Sequence, residues 1–375
     1  MCDTKDVCRT LVRAVLVYKA EELSNAHFCQ LMKLNQACLI SNLTDRWKSQ
    51  EWLVPDTGEV NVPVLEELFG DCIVPVADCQ RSEYGSQLKR DMTMKEYMQY
   101  WRSYQRPRIT EDAWGSIERD NCLYLKDWHM QRDVPHYLAY EIPEYFASDW
   151  LNEYWREKRE GHDDYRFVYI GPQGSWTPLH CDVFGSYSWS GNVCGQKLWL
   201  LLPPGEEQYY CDCTGKLACD LTEIDHQHFP KAREHQSEFG GPIRIRQNPG
   251  DVIFVPSGWH HQVLNVTDTI SINHNWFNAH NLHFIFDRLC AAEAEVMNEL
   301  SFLQGDEDFE AQVEIVLRAH HGMNRQDFRE ILTFIAEKRT QQGLNTASPD
   351  SILDLEYSRE YLKDEPLTKS TRSTT

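Results

Sequence analysis

Hydrophobic and polar positions divide the chain into a mixed N-terminal part, a central part rich in predicted strands and a helical C-terminal part. In the first forty-odd residues the pattern predicts a strand, a helix capped by Ser24 and a second strand. Thr93 is a suitable N-cap for a further helix ending near Gln105, because apolar residues recur between them at helical spacing. We therefore expect residues 1–120 to form an α/β lead-in that packs on the core.

The central part alternates short apolar runs with turn residues, a pattern typical of strands. Strands are predicted at 122–125, 166–170, 176–183, 197–202, 243–247, 252–255, 261–266 and 269–275. Many short antiparallel strands with few helices between them favour a double-stranded β-helix, the jelly roll of the cupins. The predicted fold class is therefore mainly β with α, with this core over residues 121–277.

A long polar segment at 203–241 interrupts the strands. It carries six residues of zinc-binding type: Cys211, Cys213, Cys219, His226, His228 and His235. Because these residues contain no paired C-x-x-C spacing, we expect a solvated loop over the barrel mouth rather than a second metal site.

Residues 278–340 show apolar positions at helical spacing, which predicts a C-terminal helical bundle. Such a bundle is expected either to brace the barrel or to form a homodimer interface. The charged, Ser- and Thr-rich segment 341–375 lacks this periodicity and is expected to be disordered.

The chain has 375 residues, of which 41% are hydrophobic, so it can bury a sizeable core. Its formal net charge is -21, which would repel phosphate backbones, and no nucleic-acid partner is expected. The same charge suits a basic substrate such as a lysine-bearing protein surface.

Thirteen cysteines, an odd number, are spread along the chain without the density of a disulfide scaffold, which favours a reducing compartment. No uninterrupted apolar run approaches the ~20 residues that span a bilayer, and the apolar stretch near the start is a poor signal peptide. We expect a soluble cytoplasmic protein without a membrane partner.

An H-x-D triplet, His180 to Asp182, marks the candidate chemistry. A strand points residues i and i+2 to one face, so these two side chains can bind one ion. A third ligand is available from the Pro-Ser-Gly-Trp-His-His run at 256–261. Two imidazoles and one carboxylate on one triangular face leave other positions of ferrous iron open, which is an oxygen-activating geometry.

The choice of the third ligand stays open at this point. His260 and His261 are adjacent, so on a strand they point to opposite faces and only one can reach the ion. His274 and His280 remain substitutes for either of them.

Lys197 begins an apolar run, so its ammonium must either face solvent at a sheet edge or pair with an anion. In an iron oxygenase that anion would be the distal carboxylate of 2-oxoglutarate. Thr177 can add a hydroxyl donor, and strand phase points Asn273 and Asn275 to one common face.

The central segment resembles the JmjC-domain 2-oxoglutarate oxygenases. The likeness rests on Gly171-Pro172, Thr177, His180, Asp182, Trp189, Gly195, Lys197, Trp199, Pro249-Gly250-Asp251 and the run at 256–261. In that family the ligands are the H-x-D pair and the last histidine of the W-x-H element, which implies His180, Asp182 and His261. The resemblance also implies that Lys197 and Thr177 bind the co-substrate, and that the cofactors are Fe(2+), 2-oxoglutarate and O2.

Four further segments are similar to the branch that hydroxylates a lysine of the eukaryotic translation release factor. These are Leu123-Tyr124-Leu125-Lys126-Asp127-Trp128-His129, Ser148-Asp149-Trp150-Leu151-Asn152-Glu153, Asp164-Tyr165-Arg166-Phe167-Val168-Tyr169 and Ser271-Ile272-Asn273-His274-Asn275-Trp276. The resemblance implies a protein lysyl hydroxylase that couples O2 and 2-oxoglutarate to succinate and CO2, with the release factor as its protein substrate.

Where relatives carry asparagine and threonine near the co-substrate, this chain has Ser190 and Asn273. Tyr169 and Asn275 complete the expected co-substrate contacts, and Tyr169, Trp189 and Tyr187 are candidates for an aromatic pocket lining. The alternatives are a histone lysine demethylase of the same class, disfavoured because the sequence has no recognisable chromatin-reader module, and a non-catalytic cupin-like scaffold.

Overall fold

The computed structural model describes residues 12–83, 86–109, 120–158, 164–342 and 349–364. The chain forms two compact units, each described here by itself. The first unit comprises Met1–Tyr145, Asp163–Asp182 and Tyr187–Asn275, and the second comprises Phe146–His162, Val183–Ser186 and Trp276–Thr375.

The described residues of the first unit hold thirteen strands. In chain order they are β1 (Leu16–Lys19), β2 (Cys38–Ser41), β3 (Ile73–Glu83), β4 (Ser86–Thr93), β5 (Leu123–Trp128), β6 (Arg166–Gly171), β7 (Trp176–His180), β8 (Tyr187–Cys194), β9 (Lys197–Leu202), β10 (Ile243–Gln247), β11 (Val252–Val255), β12 (His260–Asn265) and β13 (Thr269–Trp276). They form a nine-stranded sheet, in the order β1-β2-β11-β8-β13-β6-β5-β3-β4, and a four-stranded sheet, in the order β10-β9-β12-β7.

Alternation along β9 explains how the two sheets pack. Trp199 and Leu201 point to one face and are buried with Ile253 and Val255 of the nine-stranded sheet. Leu198, Leu200 and Leu202 occupy the opposite face. The core therefore fills the space between two largely antiparallel sheets, which confirms the predicted double-stranded β-helix with added helices.

The N-terminal segment extends the nine-stranded sheet, whereas we expected it to pack on the core. β1 and β2 add one edge, and the hairpin of β3 and β4 adds the other. The hairpin was not predicted, because β4 carries mostly exposed polar residues and shows no clear alternation. The described α-helices of this unit are α1 (Asn25–Lys33), α2 (Val62–Phe69), α3 (Met94–Ser103), α4 (Met130–Asp133) and α6 (Ala232–Phe239).

Two predicted helix starts are confirmed. Ser24 Oγ accepts the backbone N–H of His27 at 3.2 Å at the start of α1. At the start of α3, Thr93 and Glu96 form a reciprocal capping box.

The segment 203–241 departs from the expected solvated loop in part, because several of its apolar residues are buried and Ala232–Phe239 form α6. Tyr210, Ala218, Leu221 and Ala232 of this segment are buried against the outer leucines of β9. Isolated apolar residues among many polar ones give no periodic signal, so the sequence pattern did not indicate this packing. The segment also hydrogen-bonds to the four-stranded sheet: the Leu179 N–H donates to the Cys219 carbonyl at 2.8 Å.

The second unit is helical and confirms the predicted C-terminal helices. Its described α-helices are α5 (Trp150–Lys158), α7 (Leu282–Glu299), α8 (Phe309–His321), α9 (Arg325–Gln342) and α10 (Pro349–Asp364). Gly322 ends α8 in the left-handed conformation, at φ 78°. None of the described helices combines the length and hydrophobicity needed to cross a lipid bilayer.

The prediction of disorder at 341–375 is wrong for α10, while 343–348 and 365–375 lie outside the described residues. Polar contacts hold this helix. Arg339 of α9 donates to Asp354 at 3.0 Å and to Glu153 of α5 at 2.8 Å, and all three side chains are largely buried. Leu355 is buried beside them. A helix held by buried ion pairs shows little apolar periodicity, which explains the missed prediction.

Candidate active site

His180, Asp182 and His261, which we call the metal triad, meet at the end of β7. His180 is the last residue of β7 and pairs directly with His261 of β12. The ring centroids of the two histidines lie 4.2 Å apart. Ligand atoms of all three residues lie within 4.8 Å of one another, a separation suited to one shared ion.

Backbone carbonyls fix the tautomers of both imidazoles. The Nδ1 atoms of His180 and His261 lie 2.8 Å from the Pro178 carbonyl and 3.2 Å from the Trp259 carbonyl. A ring that donates its Nδ1 hydrogen keeps a lone pair at Nε2. Burial and the neighbouring His180 lower the pKa of His261 to about 4, which favours the neutral, metal-binding form.

A hydroxyl orients the carboxylate of the triad. Ser188 Oγ donates to Asp182 Oδ2 at 2.7 Å and leaves the other carboxylate oxygen without this donor. Two neutral imidazole nitrogens and one anionic oxygen form the donor set that suits non-haem ferrous iron. The residues present therefore fit an iron ion.

The other candidate histidines of the first unit lie elsewhere. His260 is on the opposite face of β12, with Nδ1 at 3.9 Å from a Glu207 carboxylate oxygen. His274 is buried and stacks on Trp189, with 4.2 Å between centroids. Neither of these two imidazoles joins His180 and Asp182, whereas the imidazole of His261 does. No three potential metal ligands of segment 203–241 converge among the residues described there.

Lys197 lies in the interior rather than at a sheet edge, because β9 is flanked by β10 and β12. The residue is only 2% exposed. Its Nζ donates to Asn265 Oδ1 at 2.8 Å and to the Tyr124 hydroxyl at 3.4 Å. Asn265 Nδ2 donates in turn to Ser175 Oγ at 2.8 Å. We call Lys197, Asn265, Ser175 and Tyr124 the lysine end of the pocket.

The ammonium of Lys197 thus has neutral hydrogen-bond partners. Burial lowers the pKa of Lys197 to about 7, because a desolvated cation is costly without an anion. A ligand carboxylate that enters here would supply the missing charge. This is the chemistry that a 2-oxoglutarate site requires.

The other predicted co-substrate residues line the same pocket as the metal triad and Lys197. They are Tyr169, Thr177, Ser190, Asn273 and Asn275. Ser190 Oγ donates to Asn273 Oδ1 at 2.9 Å, so these two side chains orient each other. The Tyr169 hydroxyl donates to Asp127 Oδ1 at 2.5 Å, which commits its single hydrogen.

Of the three aromatic lining candidates, Tyr169 and Trp189 border the pocket and Tyr187 does not. Tyr187 is fully buried, and its hydroxyl donates to the Met32 carbonyl at 2.8 Å. It is therefore a core residue.

Tyr124, Ser188, Asn265 and Asp127 were missed by sequence reasoning. Tyr124 and Ser188 border the pocket, whereas Asn265 and Asp127 support residues that do. Strand phase could have indicated Ser188, which is two residues from Ser190. Isolated neutral residues such as Tyr124 and Asn265 carry no spacing signal.

The lack of a side chain at Gly171 leaves room for the partners of Lys197. A Cβ atom there would lie 2.3 Å from Asn265 Nδ2, 2.5 Å from Ser175 Oγ and 2.5 Å from the Tyr124 ring. Real atoms do not approach so closely, so a side chain at this position would displace the partners of Lys197.

Residues 167–276 match the family described as JmjC domain, hydroxylase. The chain is 44% identical over 313 residues to a chicken (Gallus gallus) protein named 2-oxoglutarate and iron-dependent oxygenase JMJD4, covering 81% of this chain and 70% of the relative. The human (Homo sapiens) protein of that name is 41% identical, covering 87% and 77%. An Arabidopsis thaliana protein named arginine-specific demethylase JMJ20 is 39% identical, covering 82% and 67%.

Proposed function

The chain belongs to the JmjC-domain family of 2-oxoglutarate and iron-dependent oxygenases, and from this premise we propose that it hydroxylates a carbon of a lysine side chain in the translation termination release factor. The observation that carries the proposal is the convergence of the metal triad and a buried lysine on one pocket. When bound, iron, 2-oxoglutarate and O2 together supply the oxidation, which releases succinate and CO2 and inserts one oxygen atom into a C–H bond.

We assign the iron to His180, Asp182 and His261. Their Nε2 and carboxylate atoms face one another, and the Nδ1 bonds hold the rings in position before any ion arrives. Ser188 orients the carboxylate through its hydrogen bond to Asp182.

We assign the distal carboxylate of 2-oxoglutarate to Lys197, with Tyr124 beside it. An ammonium with neutral partners gains a full ion pair when a carboxylate binds, and burial strengthens that attraction. Thr177, Ser190, Asn273 and Asn275 would contact the remaining polar atoms of the co-substrate, because they border the same cavity.

The choice of a lysine in the release factor rests on two supports. Four segments outside the metal motifs resemble the branch with that substrate. The net charge of -21 also favours encounter with a cationic protein surface. We place the reaction in the cytoplasm, in keeping with the free thiols of the described cysteines.

The test is mass spectrometry of purified release factor after incubation with enzyme, Fe(II), 2-oxoglutarate and O2. One lysine is expected to gain a single oxygen atom, with one succinate released per modified residue. The His180→Ala variant serves as the control and should give no modification. An unmodified release factor in the presence of active enzyme would refute the proposal.

Demethylation is the second candidate, favoured by the 39% identity to a protein named arginine-specific demethylase. Hydroxylation of an N-methyl group would release formaldehyde and remove a methyl from the substrate, whereas carbon hydroxylation leaves a stable oxygen on the side chain. Methylated histone peptides incubated under the same conditions separate the two reactions. Loss of a methyl group without any reaction on the release factor would favour the second candidate.

A further inference from the structure

Asp127 joins the active-site pocket to a cleft on the protein surface. Its carboxylate accepts the Tyr169 hydroxyl at 2.5 Å, and Tyr169 borders the pocket of the metal triad. Asp127 itself borders a cleft of about 520 Å³. The lining of that cleft also includes Lys89, Asp91 and Arg132. Asp127 does not border the pocket itself, but it bonds directly to Tyr169, which does.

The backbone holds Asp127 in an unusual conformation. Its φ of 63° lies in the left-handed region, and the register between β5 and β6 shifts between Leu125 and Trp128. Asp127, which bonds to Tyr169, lies within this irregular stretch, so simple strand alternation does not describe its orientation. Asparagine adopts this conformation about as readily as aspartate, which provides a conservative substitution.

The Asp127 carboxylate is ionised at neutral pH. Burial alone would raise its pKa, but the nearby ammonium groups of Lys126 and Lys89 and the hydroxyl of Tyr169 outweigh that effect and lower the pKa. Asp127 and Asp182 both raise the pKa of the Tyr169 phenol, after the larger effect of burial. The phenol therefore lies in the field of two carboxylates, of which Asp182 belongs to the metal triad.

The Asp127 carboxylate already has a lysine partner, because Lys89 Nζ forms an ion pair with Asp127 Oδ2. The side chains of Lys89 and Asp127 are 44% and 29% exposed. Because the Lys89 side chain is largely in contact with solvent, screening and side-chain entropy weaken its half of the pair, even though the Asp127 carboxylate is more buried. Lys89 is therefore a resident cation that a second ammonium can replace.

We propose that Asp127 is the subsite for the ε-ammonium of the target lysine, which displaces the ammonium of Lys89 when the substrate binds. The inference rests on the proposed lysine hydroxylation. A lysine that enters the pocket must remove its ammonium from water, which is costly unless a carboxylate receives it. Asp182 would hold the metal, so the carboxylate left for the cation is Asp127, which bonds to the pocket-lining Tyr169 and borders the neighbouring cleft.

The main test is Asp127→Asn, which removes the charge, tolerates the left-handed backbone and keeps an acceptor for Tyr169. The KM for the release factor is expected to rise about 10- to 100-fold, as for loss of a hydrogen bond to a charged group. The KM for 2-oxoglutarate and succinate release without protein substrate are measured in parallel, and any change there, transmitted through Tyr169, should be much smaller than the change in KM for the release factor. Asp91→Asn, in the same cleft, is the matched control and should change none of these values.

A second variant tests displacement. Lys89→Gln removes the competing ammonium, so the KM for the release factor is expected to fall severalfold. In the Asp127→Asn background the same change should have no effect, because the two ammonium groups no longer compete for a charge. Equal effects of Lys89→Gln in both backgrounds would contradict displacement.

Binding of small probes separates this inference from the proposed function. N-acetyl-lysine amide and its norleucine analogue, which lacks the ammonium, are titrated by NMR into anaerobic holoenzyme. Wild-type enzyme should prefer the lysine probe, and Asp127→Asn should lose that preference. An unaltered preference overturns the subsite even if the release factor is hydroxylated, whereas a lost preference supports it even if the release factor is not a substrate.

Discussion

At the metal triad, each imidazole is held by a backbone carbonyl and the carboxylate by a hydroxyl, whereas at the lysine end a buried ammonium has neutral partners. The metal triad combines converging donor atoms with hydrogen bonds that orient each ligand. At the lysine end the hydrogen bonds to the ammonium are in place, but its hydrogen-bond partners carry no negative charge. The difference shows that the metal ligands are oriented by bonds within the protein, whereas the charge of Lys197 is suited to an anionic ligand.

Removing one ligand of the metal triad should give the largest loss of activity of all the variants considered. His180→Ala is expected to abolish succinate release and iron binding, exceeding the roughly 10- to 100-fold loss typical when only an outer hydrogen bond to a ligand is removed. Metal content and turnover are measured together. His260→Ala is the matched control, because that residue lies on the other face of β12. Retained iron in His180→Ala would contradict the assignment.

Lys197→Met removes the charge at the lysine end and keeps most of the side-chain volume. The KM for 2-oxoglutarate should rise roughly 100- to 4000-fold, because a buried ligand carboxylate loses its partner, at about 3–5 kcal/mol. Iron binding without co-substrate should be unchanged, as measured by metal titration. A parallel loss of iron would show that the two ends are not separate.

The same variant tests the pH dependence of stability. Burial lowers the pKa of Lys197 in the folded protein to about 7, whereas in the unfolded chain the pKa returns to its ordinary value of about 10.5. Between these values the unfolded state binds more protons, so the free energy of unfolding gains a contribution that grows with rising pH. Lys197→Met should remove this contribution and stabilise the ligand-free protein at and below neutral pH. Chemical denaturation at a series of pH values measures both effects, and an unchanged pH profile would contradict them.

Ser188→Ala tests how much the hydrogen bond to Asp182 contributes to iron binding. Without the hydroxyl, the Asp182 carboxylate loses one orienting bond, and iron affinity is expected to fall about 10- to 100-fold. The KM for 2-oxoglutarate, measured at saturating iron, should change much less. Ser186→Ala, outside the pocket lining, provides a control for loss of a nearby hydroxyl.

The smallest effect is expected for Asn265→Ala, which removes one neutral partner of Lys197. Loss of a hydrogen bond to a charged group costs about 1.5–3 kcal/mol, and the low end is expected because the Tyr124 hydroxyl still accepts from Lys197, so the KM for 2-oxoglutarate should rise roughly tenfold. Steady-state kinetics with 2-oxoglutarate as the varied substrate measures the change. An effect as large as that of Lys197→Met would show that Asn265 contacts the co-substrate itself.

The metal triad and Lys197 could be predicted because each has a local sequence signal. His180 and Asp182 lie two residues apart in a segment predicted as a strand, and Lys197 stands at the start of an apolar run. The strand β7 in fact ends at His180, yet both side chains reach the same site. Strand alternation alone could not choose between His260 and His261, because both phases of β12 were allowed. The choice came from the family resemblance, and in the structure His261 is the one that meets the other two residues.

The rest of the site could not be predicted because it depends on contacts between distant residues. Tyr124 reaches Lys197 from another sheet, and Asp127 depends on a register shift between β5 and β6. The fold shows the same limit. The strands of the barrel core follow apolar alternation, whereas α10 depends on the buried pair of Arg339 and Asp354, which has no periodic pattern.

The segment 203–241 is bonded to the immediate neighbours of both imidazole ligands. The Cys219 carbonyl accepts from Leu179, which precedes His180, and Gln262, which follows His261, accepts the Leu221 N–H at 2.8 Å. A change at residues 219–221 therefore acts directly beside both imidazole ligands, although these residues lie outside the barrel strands. Any shortened or exchanged version of this segment has to preserve these two hydrogen bonds to keep the surroundings of His180 and His261 intact.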